Sequence, residues 1–250
     1  MIPLKEQDAV AQKFAAELAG PVKIDHFTER NLGLTLPNKK PAPFAKEARA
    51  MLSEIAGLSD LISLRTHYFE DNPPETAKYG VERVPATVIR GRMQNHVTFY
   101  GLPGGTEFPM FIESIIDLSR GEVLLSEESV AQLDTISEDI SVRVFVTPTC
   151  QYCPAMMRAA FQMAMVSPHI RAETIEVNEF PELAEKYQVR AVPLTVIDDQ
   201  VAIPGMVHEK DLTKELMKLA KTQAPGQPEK LAEPQRIERG KERKSGLIIP

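Results

Sequence analysis

"KYGVERVPATVI" (residues 78–89) and "KYQVRAVPLTVI" (residues 186–197) agree at eight of twelve positions and lie 108 residues apart. The likeness runs upstream, where "FEDNPPETAKY" parallels "VNEFPELAEKY" and Pro73 faces Pro181. Solenoid repeats have shorter periods than this, so the pattern points to a duplicated domain. A chain of 250 residues is long enough for two such copies.

Outward from the repeat, each copy spells the same order of elements. In the second, "LSEESVAQLDTI" (125–136) reads as a helix with Ser126 as N-cap and Glu127 and Glu128 in its first turn. "SVRVFVT" (141–147) is β-branched and aromatic, hence a strand. "PAMMRAAFQMAMV" (154–166) is built of helix formers, and Pro154 suits a first helical position. Strands near "AETIEV", "LTVI" and "VAI" follow, with a short helix at "FPELAEKY". The copy closes with "EKDLTKELMKLAKT", where Leu212, Leu216 and Leu219 recur at helical spacing.

The first copy repeats this series behind a leading helix, "LKEQDAVAQKFAAELAG" (4–20), whose Val10, Phe14 and Leu18 share a face. A strand at "VKIDHF", a helix at "PFAKEARAMLSEIAG", a strand at "LISLRTHYF" and a last helix near "TEFPMFIESIIDLS" complete it. About a dozen extra residues, "TERNLGLTLPNKKPA", separate its first strand from the next helix. Strand–helix alternation of this kind implies an α/β fold of two fused units, each a mixed sheet flanked by helices. The units expected are 1–120 and 121–221, with 222–250, rich in Pro and charge, as a flexible tail.

A net charge of −6 and a pI near 5.5 give no reason to expect nucleic acid as a partner. No apolar run approaches the roughly 20 residues of a membrane span. "MIPLKEQDAVAQKF" has no h-region of a secretory signal, which places the chain in the cytoplasm. Paired cysteines there are more often catalytic or metal-binding than structural.

The only two cysteines stand together in "TPTCQYCP" (147–154). Between a strand and a helix, Cys150 meets the free N–H groups and positive dipole end of the helix that begins near Pro154. That setting favours the thiolate, and the thiolate is the nucleophile. Cys153, one turn on, can attack a mixed disulfide at Cys150 and release the reduced substrate. A metal site is the competing reading, but two cysteines supply half of the ligands a structural zinc needs, which leaves a metal-bridged dimer. A structural disulfide closing so small a loop would stabilise little. Two ordinary buried cysteines are the third alternative. Val192–Pro193, entering the strand "LTVI", is a candidate cis peptide that would leave the backbone of Val192 free for an extended substrate segment.

Together these features resemble the thioredoxin/glutaredoxin superfamily, and the tandem copies resemble the two-unit, glutaredoxin-like protein disulfide oxidoreductases. The resemblance covers residues 5–221. It implies Cys150 as nucleophile, Cys153 as resolving cysteine, and Val192 and Pro193 as the substrate loop, with Gln151 and Tyr152 beside it. It implies protein disulfides as substrates, no organic cofactor, and a thioredoxin-reductase-like flavoprotein as electron donor. Two fused units with one dithiol also resemble the N-terminal module of flavoprotein reductases that serve peroxiredoxins. The alternatives are therefore a dedicated carrier to a peroxiredoxin, or a binding protein whose dithiol is not turned over.

The chain departs from the family pattern in three ways. The first copy has no Cys-x-x-Cys: aligning "PVKIDHFTERN" with "SVRVFVTPTCQYC" sets Glu29 and Arg30 near the position of Cys150, and Pro85 reads as a residue that keeps the turn. Gly205 is followed by Met206 where glutaredoxins have Gly-Gly, and "PGG" occurs only in the first copy, at Gly104 and Gly105, so glutathione is not the expected ligand. Val144 stands six residues before Cys150, so the strand offers no buried carboxylate as proton acceptor. Met156, Met157, Met163 and Met165 read as core packing, and the five histidines have no ligand spacing. No phosphate-cradling glycine loop is present.

Overall fold

The β-branched and aromatic stretches of both repeats lie side by side in one sheet. The computed structural model describes residues 2, 4–30, 42–93 and 95–223. Most of the extra segment between the first strand and the next helix, and the expected tail from 224 onward, lie outside the described residues. The strands are β1 (Val22–Thr28), β2 (Ile62–Tyr68), β3 (Ala86–Arg90), β4 (Val97–Tyr100), β5 (Ile140–Val146), β6 (Ile170–Glu176), β7 (Leu194–Ile197) and β8 (Val201–Pro204). The helices are α1 (Leu4–Glu17), α2 (Ala45–Gly57), α3 (Pro73–Tyr79), α4 (Glu107–Arg120), α5 (Glu127–Leu133), α6 (Cys153–Val166), α7 (Pro181–Lys186) and α8 (Glu209–Gln223). No described helix is long and apolar enough to cross a membrane.

The sheet order is β2-β1-β3-β4-β6-β5-β7-β8, so each half contributes the same four-strand pattern. In each, the first strand runs parallel to the second and antiparallel to the third, and the third pairs with a final antiparallel strand. The halves join where β4 runs parallel to β6, from Val97 beside Ala172 to Tyr100 beside Ile175. This is the fold of two thioredoxin-like units sharing one sheet.

The register corrects the alignment of the two first strands. Phe27 stands opposite Ala86, and Phe145 stands opposite Leu194, the matching position of the other repeat. Phe27 is thus the counterpart of Phe145, and Glu29 and Arg30 stand level with Thr147 and Pro148 rather than with Cys150. A slip of two residues preserves the in-out alternation of a strand, which is why the sequence pattern tolerates it.

One face of the sheet carries the larger core, fed by α1, α2, α4, α6 and α8, with Phe14, Leu52, Phe111, Phe161 and Leu216 buried in it. The other face is covered over a smaller core containing Phe27, Tyr79, Tyr100, Phe145, Phe180 and Leu183, reached by α3 and α7. Both cores cross the junction between halves. At their seam, Asp117 of α4 accepts two hydrogen bonds from Arg158 of α6, at 2.7 and 2.8 Å, and one from Gln162 at 2.9 Å. A bidentate Arg–carboxylate pair adds directional specificity to the apolar packing around it.

Candidate redox site

The site is assembled at the C-terminal end of β5. Beyond Val146 the chain turns, with the Cys150 N–H donating to the carbonyl of Thr147 at 3.1 Å, and enters α6 at Cys153. Pro154 occupies the second helical position, where its missing N–H costs no hydrogen bond. Cys150 and Cys153 are joined as a disulfide with Cα atoms 5.5 Å apart. The N–H of Cys153 points at the Cys150 sulfur from 3.1 Å. Cys153 is fully buried, whereas Cys150 is half-buried at the surface. One sulfur can therefore meet a partner while the other waits behind it.

The expected substrate loop lies at the same end of the sheet. Because β7 runs antiparallel to β5 with Leu194 opposite Phe145, the residues preceding β7 sit beside the chain leaving β5. The Val192–Pro193 bond is cis, and the Pro193 carbonyl accepts from the Gly205 N–H at 2.8 Å. Among the described residues the backbone of Val192 makes no hydrogen bond. Gln151 is exposed, Tyr152 is 60% exposed, and Met206, following Gly205, is 57% exposed. The first half preserves the same turn, with a cis Val84–Pro85 bond and the Gly101 N–H on the Pro85 carbonyl at 2.9 Å.

Sequence reasoning missed what the first half brings to this site. The loop from Gly101 to α4 is two residues longer than its counterpart from Gly205 to α8. It reaches the redox loop of the other half. The Thr106 N–H donates to the Pro148 carbonyl at 2.9 Å, and its hydroxyl lies 2.9 Å from the Cys150 carbonyl and 3.1 Å from that of Pro148. Gly105, at φ +52°, comes so close that a Cβ there would sit 2.3 Å from the Pro148 carbonyl oxygen. Gly105, the second glycine of the pair, is a contact point between halves.

Glu107, next to Thr106, is fully buried, and neither carboxyl oxygen has a hydrogen-bond partner. Burial pushes its pKa up to about 8, with the neighbouring charges of Glu176 and Glu179 adding to the effect. Glu179 is itself pushed up to about 7, chiefly by burial, and accepts from the Leu102 N–H at 2.6 Å. Glu107 is thus a buried acid on α4, one residue beyond the Thr106 contact with the redox loop. The signal for that contact was the extra loop length, not any residue near the cysteines. Among the described residues no group of three or more His, Cys, Asp or Glu is placed to hold a metal ion.

The thioredoxin-like fold thus carries a Cys-x-x-Cys pair that runs from the loop after β5 into the first turn of α6. Residues 140–218 match the thioredoxin domain family. The chain is similar to the F component of alkyl hydroperoxide reductase from Staphylococcus aureus, 25% identical over 173 residues, covering 69% of this chain and 31% of that protein. The same component from Staphylococcus epidermidis is 27% identical over 180 residues, covering 72% of this chain and 32% of its own length. The chain thus spans about a third of the length of the curated relatives it matches. Among solved structures, the F component of alkylhydroperoxide reductase from Enterococcus faecalis superposes with a TM-score of 0.75 at 24% identity, covering 86% of this chain and 99% of the other. A protein disulfide oxidoreductase of Aeropyrum pernix gives 0.77 at 23% identity, covering 88% and 94%. At these identities the structures establish the shared tandem fold.

Proposed function

We propose that the protein passes two electrons from its Cys150/Cys153 dithiol to disulfides in other proteins. The Cys150 thiolate attacks one sulfur of the partner disulfide, forming a mixed disulfide and expelling the partner's other sulfur as a thiolate that takes up a proton. Cys153 then loses its proton and attacks the Cys150 sulfur. The second partner thiol leaves, and the Cys150–Cys153 disulfide remains for a thioredoxin-reductase-like flavoprotein to reduce. Val192, Pro193, Gln151 and Tyr152 form the platform for the partner segment. No organic cofactor enters this cycle. In this reading residues 121–221 are the redox unit and 1–120 its supporting unit, working in the cytoplasm.

The observation that carries the reading is the Cys153 N–H aimed at the Cys150 sulfur from the first turn of α6. A donor and helix terminus so placed stabilise a thiolate at Cys150, the better exposed of the pair. Insulin disulfide reduction driven by dithiothreitol tests it. Wild type should accelerate the reaction, and Cys150→Ser should return it to the dithiothreitol rate; an unaccelerated wild type would remove general protein disulfides as substrates.

The likeness to the F component of alkyl hydroperoxide reductase favours a narrower reading, in which the disulfide served is that of a peroxide-reducing partner such as a peroxiredoxin. Rapid reduction of a peroxiredoxin disulfide together with slow reduction of insulin would select it.

A further inference from the structure

We propose that Thr106 is a positioning residue for the Cys150 thiolate, so that the cysteine-free half completes the redox centre of the other. This rests on the exchange chemistry proposed above.

Threonine at a helix N-cap ordinarily turns its oxygen onto a free N–H of its own helix. Ser126 does so at the start of α5, accepting from the Ser129 N–H at 3.3 Å. Thr106 stands at the N-cap of α4 and makes no such bond. Its hydroxyl is turned away from its own helix and onto the carbonyls of Cys150 and Pro148 in the other half. The preceding residue is a glycine in the left-handed region whose missing side chain permits the approach to Pro148. Local helix capping is forgone, and what replaces it is a hold on the redox loop.

That hold matters most once the disulfide opens. While it is closed, the S–S bond ties Cys150 to α6. In the dithiol, Cys150 is positioned by the Thr147–Cys150 turn and by Thr106. The Cys153 N–H can stabilise the thiolate only while the Cys150 sulfur stays in front of it. Releasing the Cys150 carbonyl loosens that alignment, disfavours the charged sulfur and raises its pKa.

The test compares Thr106→Val, which keeps the shape and loses the hydroxyl, with Thr106→Ser, which keeps the hydroxyl, in the full chain. The readouts are the pH profile of iodoacetamide alkylation of Cys150 in the reduced protein, and kcat and KM for insulin. Thr106→Val should move the alkylation midpoint to higher pH and slow alkylation below it by roughly two- to tenfold, about the worth of one hydrogen bond. It should lower kcat and leave KM unchanged, with Thr106→Ser like wild type in all three. Should the valine variant fold poorly, Thr106→Ala gives the same readouts. A valine profile identical to wild type, or a serine variant as impaired as valine, would overturn the assignment. Alkylation needs no partner protein, so a wild type that alkylates normally yet leaves insulin intact would refute the substrate reading and leave Thr106 to be judged on its profile.

Discussion

The two halves lay out four strands in the same order, keep the same Val-Pro turn, and pin that turn with the same glycine N–H. They differ in what they place at the end of the first strand. The second half carries the Cys-x-x-Cys loop there, and the first half carries no thiol. In exchange, its last loop is longer and reaches its neighbour's redox loop with Gly105 and Thr106. After such a duplication one copy keeps the reactive groups and the other becomes part of their environment.

The comparison extends into the sheet. By the observed register Asp25 of β1 is the counterpart of Arg143 of β5, and each is the hub of a charged network, buried at Asp25 and partly buried at Arg143. Asp25 accepts from His67 at 2.8 Å and from Arg90 at 2.6 Å. Arg143 donates to Glu173 at 2.8 Å and to the Tyr187 hydroxyl at 3.0 Å, and also pairs with Asp199. Burial alone would raise the Asp25 pKa, but hydrogen bonds from His67 and Arg90 outweigh it and hold it below the usual carboxylate value. The signs are reversed between the halves while the position in the sheet is the same.

The largest expected effect separates the halves by chemistry. Cys150→Ser should stop disulfide exchange entirely, whereas Asp25→Ala in the first half should leave the dithiol reactive in whatever protein folds. Asp25→Ala should instead lower stability by about 3–5 kcal/mol, because it leaves Arg90 and His67 facing a buried void; urea unfolding measures this, and a loss below 1 kcal/mol (about the value of a surface pair) would contradict it.

Glu107→Gln comes next. Its carboxyl keeps its proton in the folded state up to about pH 8, whereas in the unfolded chain it releases it near 4.5. Over that window the native state binds more protons, so the wild type loses stability as pH rises, on the order of 1 kcal/mol per pH unit at the steepest, and levels off above it. The glutamine variant should lose the Glu107 share of this slope and keep the share of Glu179, whose carboxyl is also pushed up, to about 7. Denaturant midpoints at both ends of the window decide the point, and parallel pH dependences in the two proteins would refute it.

The smallest effect contrasts two glycines. Gly105→Ala meets both the left-handed backbone and the Pro148 carbonyl, and should cost about 1–3 kcal/mol. Gly205→Ala, at φ +78° with no atom within 4 Å of the added carbon, meets only the backbone penalty of about 1 kcal/mol. Equal melting temperatures for the two variants would show that the loop does not bear on Pro148.

Much of this was legible in the sequence because it depends on local order. The repeated "VPxTVI" segment revealed the duplication, the alternation of strand and helix patterns gave the architecture, and two cysteines three positions apart marked the centre. Ser126 capped its helix as its type suggests. The pairing of the first strands was misaligned because a two-residue slip leaves every inward-facing position inward-facing. Thr106 and Glu107 were invisible for another reason. Their roles depend on residues more than forty positions away in the other half, and nothing in "GGTEF" (104–108) distinguishes a helix start from a loop that clasps a neighbour.

The central claim is that Cys150 is the sulfur that meets the partner. A Cys153→Ser variant, reduced and mixed with an oxidised protein substrate, tests it most directly. A covalent complex should form that mass spectrometry locates at Cys150, that dithiothreitol releases, and that Cys150→Ser does not form. A complex formed through Cys153 in the Cys150→Ser protein, or none at all with Cys150 free and reactive to iodoacetamide, would contradict it.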